Sequence, residues 1–196
     1  TLLRLRRDHQ VAIVEIGTNH PGEMESLLSI ARPMFGVITS IGREHLEFFG
    51  GLEGVLLEEG FLAESLPEDG CLFVNGDIEG LEKLRERCCS KIITVGESSQ
   101  SDWIISRIDT SNNETIFELI SPKGDWNGVY RVNLLGRHNA QNAALAIAVA
   151  VEMGLSQEEL LHGLEDCRPA SMRMELQTHG GVSVINDAYN SNPDSL

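Results

Sequence analysis

Val11-Ala-Ile-Val-Glu-Ile16, broken off by Pro21-Gly22, and Phe35-Gly-Val-Ile-Thr-Ser-Ile41 are the two runs on which the fold reading turns. Each is a continuous apolar stretch rich in β-branched residues, the pattern of a strand buried on both faces. Between them Glu23 to Ala31 reads as a helix that ends before Pro33. The alternation continues outward: Gly51 to Leu66 reads as helix, Cys71 to Val74 as strand, Ile78 to Cys89 as helix and Lys91 to Val95 as strand. This order predicts an α/β fold with a doubly wound, mostly parallel sheet. The middle of the chain changes character. Trp103 to Ile108, Thr115 to Ile120 and Val129 to Leu134 are short alternating strands separated by Asn-Asn and Lys-Gly-Asp turns. They predict a small antiparallel meander attached to the main sheet. An Ala-rich helix from Asn139 to Met153 and a second from Gln157 to Leu164 follow. After Pro169 a short connection, Ala170-Ser-Met-Arg173, leads to a strand at Val182 to Asn186, read as the opening of a second domain.

The 196 residues carry 30 acidic against 15 basic side chains, a formal net charge of −15, and 41% of them are apolar. A sizeable core is therefore available, and a chain this acidic is a poor candidate for wrapping nucleic acid through its phosphates. Any anionic ligand has to be held by local devices such as helix N-termini, a few arginines or metal ions. The longest apolar stretch, Ala143 to Val151, is far shorter than the ~20 residues that span a bilayer, and no signal segment opens the chain. Cys71, Cys88, Cys89 and Cys167 show no CxxC spacing, which argues against structural zinc or a disulfide scaffold and for reduced thiols. Thr1 in place of Met, and the helix-start character of Asn192-Pro-Asp-Ser-Leu196, suggest a piece of a longer protein.

Several polar residues sit where chemistry is expected. Glu15 lies near the C-terminal end of the first strand, and in open α/β sheets ligands bind beyond those ends. A carboxylate buried there needs an ion-pair partner, a metal or a phosphate site. His45 follows the second strand on the same edge. With Gly51 to Leu66 on a single helical wheel, Leu52, Val55, Leu56, Leu62, Ala63 and Leu66 form one apolar stripe with Glu59 at its centre. Glu53, Glu58 and Glu64 fall off that stripe and read as solvated charges. Glu59 accordingly needs either an internal salt bridge or a cation. Asn139 and Asn142, three residues apart, share a face at the start of the Ala-rich helix, where one could cap it or both could meet an amide or base edge. Arg173 in the connection could reach a phosphate, and Asp187 follows the last strand as a ribose-gripping acid often does. The lysines, Lys83, Lys91 and Lys123, lie in no phosphate-cradling Gly-rich loop.

Thr1-Leu-Leu-Arg-Leu5, Glu15-Ile-Gly-Thr-Asn-His-Pro-Gly-Glu23, Glu44-His-Leu-Glu47 with Phe49-Gly50, Gly136-Arg-His-Asn139 with Asn142, and Asn186-Asp-Ala-Tyr-Asn190 together resemble the Mur ligases. Within them the likeness is to the branch that adds D-alanyl-D-alanine, and it covers nearly the whole chain in motif order. The resemblance implies a P-loop-NTPase-like central ATPase domain over residues 1–170, its phosphate loop lying upstream, and the start of a Rossmann-like C-terminal domain over 171–196. It implies an ATP-dependent ligase of cytoplasmic peptidoglycan synthesis, a monomer inactive as this piece alone. ATP would phosphorylate the carboxylate of UDP-N-acetylmuramoyl-tripeptide, and the amine of D-alanyl-D-alanine would attack the acyl phosphate, with Mg2+ neutralising charge. Carried over by position, Glu15 and His45 match metal-binding residues, Asn139 and Asn142 the adenine side, Arg173 a phosphate contact and Asp187 a ribose contact. Asn19 and His20 would face the substrate cleft. Glu59 departs from the pattern, standing where the family usually carries a carbamylated lysine, and would supply the metal-binding carboxylate directly. A folylpolyglutamate or cyanophycin synthetase would share the metal and adenine positions but not the Thr-Asn-His and Asn-Asp-Ala-Tyr-Asn segments. A non-catalytic nucleotide-binding module is the alternative from another class.

Overall fold

A computed structural model of the chain describes residues 2–42, 46–111 and 113–189. His45, Asn190 and the helix start expected at Asn192 to Leu196 lie outside the described residues. In chain order the elements are α1 (Glu23–Ala31), β1 (Phe35–Ile38), α2 (Leu46–Phe49), α3 (Leu52–Glu59), α4 (Phe61–Ser65), β2 (Cys71–Asn75), α5 (Leu81–Arg87), β3 (Lys91–Gly96), β4 (Trp103–Ser111), β5 (Glu114–Ile120), β6 (Gly128–Val132), α6 (Arg137–Glu152), α7 (Gln157–Asp166), β7 (Glu175–His179) and β8 (Val182–Asn186). Strands β1 to β6 form one sheet in sequential order, parallel from β1 to β4 and antiparallel from β4 to β6.

Side chains alternate between faces along a strand, and here each face meets its own set of helices. On one face Phe73, Val95, Ile105, Phe117 and Leu119 pack with Ala144, Leu145 and Ile147 of α6 and Leu160 of α7. On the other, Ile38, Leu72 and Val74 pack with Leu56 of α3, Ala63 of α4 and Leu84 of α5. The sheet is thus wound on both sides, as the alternation of elements predicts. Burying each such Phe, Leu or Ile contributes roughly 1.5–3 kcal/mol. Helix α7 begins with a capping box, Ser156 Oγ accepting from the Glu159 N–H while the Glu159 carboxylate accepts from the Ser156 N–H. All four cysteines are free, and burial pushes the Cys71 thiol up to about 11.

Three expectations are corrected. Val11 to Ile16 joins no strand ladder among the described residues, and Ile13 is 92% exposed. A run that is apolar on both faces becomes a strand only with neighbours to hydrogen-bond, and the six-stranded sheet ends at β1. Gly51 to Leu66 is two helices, because Gly60 breaks the run. The break has a cause on α5: Arg87 Nη1 donates to the carbonyls of Leu57 at 2.9 Å and Leu56 at 3.3 Å, Nε pairs with Glu64 at 2.6 Å, and the guanidinium lies 5.4 Å over the Phe61 ring. These bonds satisfy carbonyls at the end of α3, and a Cβ at position 60 would run into the Arg87 guanidinium. Finally, the segment after Arg173 is not a lone strand but a hairpin, β7 pairing with β8 in a two-stranded sheet of its own.

Candidate active site

The carboxyl ends of the parallel strands are tied into one edge. Asn75 Nδ2, at the end of β2, donates to the Thr39 carbonyl just beyond β1 at 3.2 Å. Asp77, two residues on, accepts the N–H groups of Glu97 at 2.7 Å and Ser98 at 3.0 Å, clasping the loop after β3. Helix α6 is set on the same edge, since Gln141 Nε2 donates to the Val95 carbonyl at 2.7 Å and Arg137 pairs with Glu97. The sequence signal for Asp77 was present: in Asn75-Gly76-Asp77 the Asn75 side chain accepts the Asp77 N–H, the hydrogen bond of an Asx turn.

Asn139 and Asn142 lie on α6 at this edge, half-buried and exposed respectively. Neither caps the helix: the N-cap is Gly136, and Asn139 Nδ2 donates backwards to the Leu135 carbonyl at 3.0 Å. Asn142 is exposed, and Asn139 Nδ2 also meets the His138 ring nitrogen Nε2 at 3.1 Å.

A second cluster surrounds the start of α1. The Glu23 carboxylate accepts the N–H groups of Asn19 at 2.9 Å and His20 at 3.2 Å, with the His20 Nδ1 3.6 Å away. Those backbone hydrogen bonds, chiefly the one from Asn19, hold the Glu23 carboxyl below the usual carboxylate range. The His20 ring rests against Phe48 of α2, centroids 4.3 Å apart. Glu58, expected as a solvated charge, is 4% exposed and accepts from Gly22 N–H and Met24 N–H, both at 2.8 Å. The single wheel failed by one residue here because α3 stops at Glu59: within Leu52–Glu59 the buried positions are Val55, Leu56 and Glu58.

The proposed metal residues are placed less tightly. Glu15 is exposed on the unladdered segment, Glu59 is half-buried as the last residue of α3, and His45 lies outside the described residues. Among the described residues no three His, Cys, Asp or Glu side chains gather into a metal-holding group. The donor chemistry of two carboxylates still suits a hard divalent cation. In the connection, Arg173 stacks on Tyr189 at 4.4 Å, and Asp187 accepts the Met174 N–H at 3.0 Å. The residues flanking Arg173, Met172 (φ 61°) and Met174 (φ 45°), sit in the left-handed region that side chains disfavour.

The family model of the Mur ligase middle domain matches residues 1–150. The chain belongs to the Mur ligase family. Its relatives include the UDP-N-acetylmuramoyl-tripeptide–D-alanyl-D-alanine ligase of Bacillus subtilis, 34% identical over 197 residues, which span all of this chain and 42% of that protein. The ligase of the same name from Escherichia coli is 29% identical over 199 residues, again the whole of this chain and 44% of the relative. A crystal structure of MurF from Acinetobacter baumannii superposes with a TM-score of 0.92 at 32% identity, covering 99% of this chain and 42% of that one. MurF ligase from Thermotoga maritima in complex with ADP shares the fold, with a TM-score of 0.78 at 20% identity over 90% of this chain and 40% of that chain. This Mur ligase chain thus spans about two-fifths of the proteins it matches. Its sheet is the mixed, mostly parallel α/β sheet read from the sequence. No described helix is long and apolar enough to cross a membrane.

Proposed function

We propose that this chain is the central ATP-handling part, residues 1–170, and the opening of the C-terminal domain, residues 171–196, of a ligase that joins D-alanyl-D-alanine to UDP-N-acetylmuramoyl-tripeptide. The observation that carries this reading is the match along the whole chain to relatives bearing that ligase's name, together with the 0.92 superposition on MurF. The same reading makes it a cytoplasmic enzyme, because ATP and the nucleotide-linked precursor are its substrates, and we propose that it acts as a monomer.

The chemistry joins two reactants that are hard to bring together. The tripeptide carboxylate takes the γ-phosphoryl group of ATP, giving an acyl phosphate and ADP; the dipeptide amine then attacks the acyl carbon and expels phosphate. Asn139 and Asn142 are suited to the adenine edge, since each side-chain amide offers donors and acceptors on the face of α6 at the sheet's carboxyl edge. Arg173 would meet phosphate and Asp187 the ribose, each released from its present partner, Tyr189 and the Met174 N–H. Asn19 and His20, fixed by Glu23, would present the loop that faces the peptide substrate. Glu15, His45 and Glu59 would hold Mg2+, which when bound supplies charge neutralisation for phosphoryl transfer. Glu59 would bring its carboxylate without the carbon dioxide that a carbamylated lysine requires.

The test is phosphate release by the complete gene product given ATP, Mg2+, UDP-N-acetylmuramoyl-tripeptide and D-alanyl-D-alanine. Release that depends on the dipeptide is the expected result. Silence in a folded protein with every amine acceptor tried would overturn the reading.

A further inference from the structure

Glu58 is a buried titratable group that the proposed chemistry leaves unused. A carboxylate at 4% exposure is costly unless its oxygens are satisfied, and among the described residues its partners are backbone donors. Oε2 accepts from Gly22 N–H and Oε1 from Met24 N–H, each at 2.8 Å. These are donors at the start of α1, which has Gly22 at its N-cap and no side-chain cap of its own. The positive end of the helix dipole and two charge-assisted bonds offset the desolvation. Glu58 therefore caps α1 from a different helix, more than thirty residues along the chain.

The capped end is the root of the loop that carries Asn19 and His20. Glu23, in the first turn of α1, fixes the Asn19 and His20 amides. Glu58 fixes Gly22 and Met24 on either side of Glu23 and anchors them to α3. The end of α3 is itself held from α5, by Arg87 on the Leu56 and Leu57 carbonyls. A chain of hydrogen bonds thus runs from α5 through α3 to the Asn19-His20 loop. Loss of the Glu58 bonds consequently frees the loop while leaving the Arg87 anchor of α3 in place. It also leaves α6 untouched, because α6 and α3 pack on opposite faces of the sheet.

We infer that Glu58 is a positioning residue for the peptide substrate, holding the Asn19-His20 loop at a fixed place relative to α3. The inference rests on the ligase reading above. The test compares the complete gene product with its Glu58→Gln and Glu58→Ala variants, with Glu53→Gln as an exposed control on the same helix. Glutamine keeps one accepting oxygen but turns an NH2 towards the second donor. Displacing a positioning loop by an ångström costs up to about a hundredfold, so Glu58→Gln should raise KM for UDP-N-acetylmuramoyl-tripeptide about tenfold. KM for ATP should stay within about twofold, since α6 packs on the opposite face of the sheet. Amide exchange at Gly22 and Met24 should accelerate in step, a readout that holds if Glu58→Ala fails to fold. Unchanged tripeptide KM in a folded Glu58→Gln protein, or equal shifts for tripeptide and ATP, would overturn the positioning role alone. A wild type with no dipeptide-dependent turnover would overturn the ligase reading on which the inference stands.

Discussion

The clasp between the loops after β2 and β3 can be measured as a coupling energy. Asp77 accepts two backbone N–H groups, from Glu97 at 2.7 Å and Ser98 at 3.0 Å, and Gly96 lies directly beneath it. A Cβ built on Gly96 would stand 2.6 Å from Asp77 Oδ2 and 2.9 Å from its Cγ, closer than real contacts allow. An alanine at 96 therefore has to push the carboxylate off its donors. Hydrogen bonds to a charged acceptor contribute about 1.5–3 kcal/mol each when shielded, and exposure of Asp77 brings each nearer ~1 kcal/mol. Asp77→Ala should then destabilise by about 2 kcal/mol, a drop of roughly 4–8 °C in Tm for a chain of this size. Gly96→Ala loses the same clasp but gains up to ~1 kcal/mol by restricting the unfolded chain, a net loss of about 1–1.5 kcal/mol. In the Asp77→Ala background the obstacle is gone, so Gly96→Ala should be neutral or stabilising by about 0.5 kcal/mol. Urea unfolding of the four proteins should thus give a coupling of about 1–2 kcal/mol. Additivity to within about 0.5 kcal/mol would refute the argument that one carboxylate accounts for both effects.

Two further outcomes are expected. Glu59→Gln in the complete gene product should raise the Mg2+ concentration for half-maximal ligation about tenfold, and an unchanged magnesium titration would remove Glu59 from the metal site. Because the folded Glu23 carboxyl sits below its unfolded value of 4.5, its stabilisation is complete above that value and is lost as pH falls through the lower folded one. Protection of the Asn19 and His20 amides from exchange should accordingly vanish in that acid window, and Glu23→Gln should abolish the transition; a pH-independent exchange rate in the wild type would contradict it.

Periodicity made the sheet legible and left the helix joints obscure. The runs at Phe35, Cys71 and Lys91 read as buried strands because their partners lie within the chain, and the meander read correctly from its alternation and its turn residues. Val11 to Ile16 has the same composition, yet pattern alone cannot say whether a neighbouring strand is present to pair with it. The hairpin partner Glu175 to His179 was missed because Glu, Gln, Thr and His give it little apolar alternation. The confusion of Glu58 with Glu59 has a local origin. A wheel drawn through Gly60 averages two helices, and the side chain that ends the first, Arg87, belongs to an element over twenty-five residues away. The candidate ligand residues were legible chiefly through their motif order, whereas Arg137 and Gln141 show their contacts only once the sheet edge is built.

The two halves of the sheet also differ in how far apart along the chain their partners lie. Ser111 pairs with Glu114 and Leu119 with Gly128, whereas Phe35 has to find Cys71 across an intervening run of helices. Closing short loops is entropically easier and kinetically faster than closing long ones. On that ground the meander is expected to form first, with the parallel strands assembling onto it afterwards. Pulse-labelled exchange during refolding should find β5 amides protected before those of β1, with the carboxyl edge of the parallel strands among the last parts of the molecule to take shape.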